Sequence, residues 1–336
     1  MRRVLVTGAN GFVGRHVVET LAARGDRVRA LDLAFDPGIP PQVERVQATV
    51  TDAEAVTAAV EGCDGVIHAA AIADLWAEQR GAHLAVNLDG TQTVLGAARD
   101  SGARVVLVSS YTTLVAENTP LNAMLTEAEL HEPDALLGPY PASKRWAEIA
   151  VEDAVEDGAD ALSVLPSAPV GPGDRRPTPP GRLILDLARG ATPALIDTVL
   201  DVVDVRALAL GIVAALDEGE TGKRYLLSGQ PLSLAGLARR VAEMTGVPAP
   251  RRRVPIRLAL AAAQVEAGLS RLTRRPPRAP ITGVRLAARR PRFDPGAARV
   301  DLGWHPPAID DALLGALVWF HGEGMLDCPM PRYPND

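Results

Sequence analysis

The 336-residue chain has only two cysteines, Cys63 and Cys328, far apart and without partner spacing. They build neither a disulfide framework nor a zinc site. A basic balance is missing as well. The formal charge is −6, which sets aside a nucleic-acid binder, whose footprint is basic. No apolar run reaches the ~18–20 residues of a membrane span. Met1-Arg2-Arg3-Val4 enters a strand pattern at once, which leaves no room for a secretory leader. No internal repeat is visible. These absences point to a cytoplasmic protein with no membrane span and no nucleic-acid partner. What is present is a hydrophobic content of 47%, ample for the packed core of one large domain or two.

The opening 32 residues carry the strongest pattern. Arg3-Val4-Leu5-Val6 reads as a buried parallel strand. It leads into Thr7-Gly8-Ala9-Asn10-Gly11-Phe12-Val13-Gly14 and then into a helix, with Val13, Val17, Leu21 and Ala22 on one stripe. Gly25-Asp26 ends that helix, and Val28 to Leu31 forms a second strand closed by Asp32. Strand, glycine turn, helix, strand and acid stand in the order of a dinucleotide-binding unit. Gly8 permits the tight turn, Gly11 admits a pyrophosphate to the backbone, and Gly14 lets the helix pack closely. The helix N-terminus offers free N–H groups to phosphates. Asp32 accepts from ribose hydroxyls and repels a 2′-phosphate, which favours NAD. NADP stays open, because Arg27 and Arg29 are near in sequence.

Further along, a third strand is predicted over 43–50, with Asp52 capping a helix over 53–60. A fourth strand and its turn cover Gly65 to Ala71. His68 in this turn invites a catalytic reading, but lining the cleft is preferred. Asn87 is read as opening a helix that runs to Arg99. Val105 to Val108 is a buried strand that ends in Ser109-Ser110-Tyr111-Thr112. Ligands gather at such strand ends in open parallel sheets. Tyr140-Pro141-Ala142-Ser143-Lys144 then places a phenol and an ammonium four residues apart, on one helix face. Nearby positive charge stabilises a phenolate, so Tyr140 is expected to act as a general acid or base with its pKa lowered by Lys144 and by the positive nicotinamide of NAD⁺.

Together the Gly8-x-x-Gly11-x-x-Gly14 turn, the Ser109-Ser110 strand end and Tyr140-x-x-x-Lys144 resemble the extended short-chain dehydrogenase/reductase superfamily, the NAD-dependent epimerases and dehydratases. Ser109-Ser110-x-x-x-Leu114 is similar to dihydroflavonol reductases and 3β-hydroxysteroid dehydrogenases. Asp74-Leu75-Trp76-Ala77 and the Arg176 to Arg182 run are similar to a hopanoid-associated group labelled sugar epimerases. The resemblance implies an α/β fold, a Rossmann doubly wound parallel sheet with a smaller, mostly helical C-terminal substrate domain. It divides the chain into 1–165, with 196–217 returning to it, and a substrate region of 166–195 and 218–336.

The resemblance implies a catalytic set of Ser110, Tyr140 and Lys144, with Thr112 as the alternative hydroxyl. It implies a cofactor-facing set of Gly8, Gly11, Phe12, Val13, Gly14, Asp32, Thr49, Val50, Ala69, Ala70, Ala71, Asn87, Ser109, Tyr140, Lys144 and Pro166. Thr49 stands where relatives carry an acid against the adenine. Three usual contacts to a sugar nucleotide are missing, since Ser167-Ala168, Leu200 to Asp204 and Leu114-Val115-Ala116 occupy their places. The leading expectation is therefore hydride transfer between nicotinamide and a carbonyl or secondary alcohol of a small apolar molecule. A nucleotide-sugar epimerase or dehydratase and a non-catalytic NAD(P) sensor are the rivals. Family members pair through a four-helix bundle, so a homodimer using the face around Trp146 is expected.

Toward the C-terminus, 172–180 reads as a loop over the cleft. Tyr225 to Ser228 reads as a strand and 233–245 as a helix. Arg251 to Arg278 is basic, with Leu258, Ala262, Val265 and Leu269 spaced like one helix face. A packed helix of the substrate region is the preferred reading. A helix lying on a membrane, or admitting a greasy substrate, is the alternative. The tail over 329–336 is expected to be loose.

Overall fold

The computed structural model describes residues 2–75, 80–273, 277 and 280–333. Its first half alternates strands and helices: β1 (Arg3–Thr7), α1 (Phe12–Arg24), β2 (Arg27–Asp32), β3 (Glu44–Gln47), α2 (Ala53–Val60) and β4 (Gly65–His68). Next come α3 (Arg80–Leu84), α4 (Gly90–Ser101), β5 (Arg104–Val108), β6 (Met124–Leu125), α5 (Pro139–Glu156) and β7 (Ala161–Pro166). The second half holds β8 (Ala168–Val170), α6 (Pro179–Ala188), β9 (Leu195–Ile196), β10 (Val199–Asp204), α7 (Val205–Glu218), β11 (Arg224–Leu227), β12 (Gln230–Ser233) and α8 (Leu234–Thr245). It closes with β13 (Arg253–Val254), α9 (Ile256–Thr273), α10 (Ile281–Arg289), β14 (Arg292–Phe293), α11 (Gly296–Asp301) and α12 (Asp310–Gly322).

Seven parallel strands form the main sheet in the order β11-β7-β5-β4-β1-β2-β3. The direction of winding reverses between β1 and β4, and a crevice opens at the strand ends there. Strand side chains alternate between the two faces. Val4, Val6 and Ile67 pack with Val17 and Val18 of α1 and Leu208 and Ile212 of α7. Leu5, Val66 and Leu107 pack with Val56, Val94 and Ala147 on the opposite face. Both faces are covered, which is why these strands read as continuous apolar runs. A second core joins α6, α8 and α12 to the three-stranded sheet β12-β10-β8.

Several expectations need correction. Of the 196–217 segment expected to return to the large sheet, only the α7 part does so. Strand β10 pairs with β8 and β12 in the small sheet, and α7 with β11 completes the large layer. The reason lies in Tyr225, Leu226 and Leu227, all wholly buried: an unbroken apolar run suits a strand covered on both faces. The third strand is shorter than predicted, since at the sheet edge only Glu44–Gln47 pairs with β2. Asn87 does not open a helix. The helix starts at Arg80, and Asn87 lies in a wide π turn over Ala85–Asp89 before α4. The tail is docked as far as Tyr333, with Arg332 N–H donating to the Met244 carbonyl at 3.1 Å.

The largest difference concerns α9. Leu258, Ala262, Val265 and Leu269 are exposed rather than packed. The helix buries its small residues instead, Ala263 and Ser270, and lies beside α10. Trp76 and Ala77 of the Asp74 to Ala77 run, and Arg274, Arg275 and Arg278 of the basic run, lie outside the described residues. Trp146 on α5 keeps 39% of its surface exposed. Among the described residues, no helix is long and apolar enough to cross a membrane.

Leu162 is fully buried in β7, between β11 and β5 in the sheet. Leu162→Ala is expected to cost about 2–5 kcal/mol of stability. A urea titration should show it as a lower midpoint at unchanged slope.

Candidate active site

The crevice at the switch point is built first from glycine. Gly8 has φ +64°, and a Cβ there would stand 2.6 Å from the backbone of Ala70. At Gly14 it would stand 2.1 Å from the Gly8 carbonyl oxygen. These two positions let α1 and the Ala69–Ala71 segment press against the turn. At Gly11 a Cβ would meet only the Gly8 carbonyl, at 3.0 Å, so the space in front of this residue is open. Gly11 caps α1 without a side chain, which leaves the first helical N–H groups of Phe12, Val13 and Gly14 without a side-chain acceptor. An open cradle lined by unsatisfied donors fits a pyrophosphate.

Asp32 closes β2 beside this cradle. Its carboxylate accepts from the Asn10 N–H at 2.9 Å and the Leu33 N–H at 2.7 Å. Each oxygen keeps a lone pair for a ribose hydroxyl. Neither arginine weighed in the sequence is at hand. Arg27 stands at the other end of β2, and Arg29 pairs with Glu44 and the Ala59 carbonyl. The neighbouring cation is Arg15, which donates to Asn10 Oδ1 at 2.6 Å and the Pro37 carbonyl at 3.0 Å. Its position one residue after the third glycine was a readable signal.

Small polar ties hold the segments around the crevice. Asn87 accepts from the Ile72 N–H at 2.8 Å and donates to the Ile72 carbonyl at 3.1 Å and to Ser143 Oγ at 2.9 Å. Val50 packs under Gly90, where a Cβ would come within 2.6 Å. Thr49 pairs its hydroxyl with Thr51 at 2.9 Å. Pro166 ends β7 beside Leu227.

His68 is a structural residue. Nδ1 lies 2.7 Å from Thr7 Oγ1, and Nε2 lies 3.1 Å from Thr91 Oγ1. Thr91 donates its proton to the Asn87 carbonyl, so Nε2 carries the ring hydrogen and Nδ1 accepts from Thr7. Burial holds its pKa at about 3, with the charge of Lys144 adding to the effect.

The chemistry-bearing groups gather at the end of β5. Lys144 is buried, and its Nζ donates to the Val108 carbonyl at 2.8 Å. Two residues on, Ser110 Oγ accepts from the N–H and the hydroxyl of Thr112, at 3.3 and 3.0 Å. Ser110 also stands close enough to the Tyr140 phenol to pull its pKa down. The structure thus brings Ser110, Thr112, Tyr140 and Lys144 together. The His83 ring stands 6.2 Å from the Tyr140 ring.

Lys144 by itself does not lower the phenol in this geometry. Burial pushes Tyr140 upward, only partly offset by nearby Ser110. Lys144 is itself lowered to about 8 by burial, against the attraction of Glu148. The ammonium is committed to a backbone carbonyl, so desolvation outweighs its pull on the phenol.

Ser109 also departs from its expected role. Its hydroxyl donates to Glu148, on α5 one turn beyond Lys144, and not into the crevice. Glu148 accepts from Thr113 as well, at 2.9 Å, and pairs with Arg224 at 2.9 Å and Arg145 at 3.5 Å. The i, i+4 spacing of Lys144 and Glu148 was the signal for this cluster. On the outer side of the pair, Tyr111 is raised by burial, by Asp201 and by Tyr140. Asp201 is buried and accepts from the Gly229 N–H at 2.7 Å. Among the described residues no group of His, Cys, Asp or Glu is placed to hold a metal ion.

Residues 4–228 match the model of the NAD-dependent epimerase/dehydratase family, and the chain belongs to that family. It is 34% identical over 329 residues to a Synechocystis sp. protein named for dihydroflavonol 4-reductase, covering 95% of this chain and 94% of that one. It is 32% identical over 332 residues to sterol demethylase protein B of Methylococcus capsulatus, covering 96% and 99%. The crystal structure of gox2253 matches at a TM-score of 0.83 and 30% identity, covering 97% of this chain and 100% of that one. The chain is therefore an NAD-dependent enzyme of the extended short-chain dehydrogenase/reductase type.

The histidine makes a measurable contribution to acid stability. Folded His68 resists protonation down to about 3, whereas an unfolded histidine titrates near its ordinary ~6.5. The unfolded chain thus binds the extra proton between these values, and stability falls with pH across that window by up to ~1.4 kcal/mol per unit. His68→Asn should flatten this part of the curve in denaturant titrations run at a series of pH values.

Proposed function

We propose that this chain carries out hydride transfer between a nicotinamide cofactor and a carbonyl or secondary alcohol of a small, mostly apolar molecule. The observation that carries the reading is the gathering of the Tyr140 phenol, Ser110 and, one helical turn on, buried Lys144 at the end of β5. Bound NAD would supply the hydride donor or acceptor. The Gly8–Gly14 turn and the α1 N-terminus would hold its pyrophosphate, and Asp32 its adenosine ribose.

The chain's own groups then divide the work. Ser110 and Tyr140 bind and orient the substrate oxygen. Thr112 donates to Ser110 and fixes the direction of its hydroxyl. The phenol, kept protonated by burial, hands its proton to the oxygen as a carbonyl is reduced. Lys144 holds positive charge close to that phenol and opposes an accumulation of negative charge.

An apolar substrate is favoured by the surroundings of the pair. Leu114, Val115, Leu137 and Leu286 form a buried cluster, with Tyr111 and Phe293 packed against it. Asp201 brings an acid toward Tyr111, which suits a sugar diphosphate poorly. The relatives named for dihydroflavonol and sterol chemistry agree with this choice.

Tyr140→Phe is expected to lower kcat by about 10²–10⁴-fold while NADH binding, followed by fluorescence, is retained. Unchanged turnover would sink the proposed role. The same assay separates epimerisation, which converts substrate with no net change in NADH absorbance. Carbonyl reduction by the wild type should be strongest near neutral pH. It should decline above about 8, where Lys144 loses its charge. A flat profile across that range would remove Lys144 from the reaction.

A further inference from the structure

Helix α9 carries an apolar stripe that nothing among the described residues covers. Leu258, Val265, Leu269 and Leu272 expose 62%, 65%, 58% and 88% of their surfaces, and Ala262 lies among them, also exposed. With 3.6 residues per turn these five fall within an arc of about 80° and extend over about 21 Å. The opposite side of the helix is fixed to the protein through Ala263 and Ser270. Neighbouring α10 is held over the start of α5, where Thr282 packs against Gly138. The stripe therefore faces outward on an anchored helix.

Charge decides what fits it. Arg251, Arg252, Arg253 and Arg257 are exposed at the N-terminal end, and none makes an ion pair among the described residues. Over residues 251–278 the sequence has eight arginines and one acid, Glu266, in a chain whose net charge is −6. A second copy of the chain is a poor occupant. Two-fold pairing along the stripe in parallel sets the Arg251–Arg257 end against itself. Antiparallel pairing sets it against the Gly268–Thr273 end, whose sequence has no acid. Neither arrangement offers the arginines an opposing charge. An anionic lipid surface accepts the leucines and the arginines together.

We propose that α9 docks this protein reversibly on anionic membrane surfaces, its apolar stripe entering the interface and Arg251–Arg257 contacting lipid phosphates. The proposal is independent of the chemistry at Tyr140.

The test is vesicle flotation of the full chain with phosphatidylcholine vesicles, with and without phosphatidylglycerol. Wild type should float with the anionic vesicles only. It should be released at 1 M salt, where the Debye length falls to about 3 Å. Replacing Leu258, Val265 and Leu269 together by Ser should abolish flotation, with NADH binding and melting temperature checking the fold. Arg251→Gln combined with Arg252→Gln leaves the apolar face intact and should weaken partitioning about thirty-fold. No flotation of the wild type, or equal flotation on both vesicle types, overturns the proposal. It is overturned equally if sedimentation shows a wild-type dimer that the serine variant loses, since the stripe is then an interface between copies.

Discussion

A single hydrogen bond, from the Lys144 ammonium to the carbonyl of Val108, ties α5 to the end of β5. A cation buried this deeply is costly unless its surroundings compensate. The carbonyl takes one of its protons, and Glu148 supplies the opposing charge one turn further along α5. Glu148 is wholly buried in turn and is balanced by Arg224 and Arg145, with Ser109 and Thr113 donating to it. Opening one member of such a network leaves an uncompensated charge, at a cost of about 3–5 kcal/mol. The position of Tyr140 thus depends on an ionic cluster behind it, on the side of α5 away from the crevice.

On the other side of the crevice the ties between strands are neutral. Glycines at the first turn let backbone meet backbone, and Thr7, His68 and Thr91 link β1, β4 and α4 through a chain of neutral hydrogen bonds. Asn87 joins the Ile72 segment to Ser143 on α5. The cofactor half is therefore stiff and largely backbone-built. A separate buried cluster of leucines, with Tyr111 and Phe293 packed against it, is drawn from segments far apart in the chain. Membership of the NAD-dependent epimerase/dehydratase family rests on residues 4–228, which take in segments of both.

Local chemistry was legible along the sequence wherever neighbours in the chain are neighbours in space. The glycine turn, the Asp32 strand end, the Asp52 cap and the one-turn spacing of Tyr140 and Lys144 are all of this kind. So was the doubly wound sheet, because alternating apolar runs and amphipathic helices allow few other arrangements. Tertiary structure alone decided the rest. It turned Ser109 away from the crevice toward Glu148, raised the Tyr140 phenol by burial where charge alone implied lowering, and drew Tyr225–Leu227 into the main sheet. It also left the leucines of α9 facing outward, because packing on that helix is made by its small residues. Periodicity identifies an apolar face, but only the folded chain determines which side finds a partner, since burial and desolvation depend on residues brought together from distant parts of the sequence.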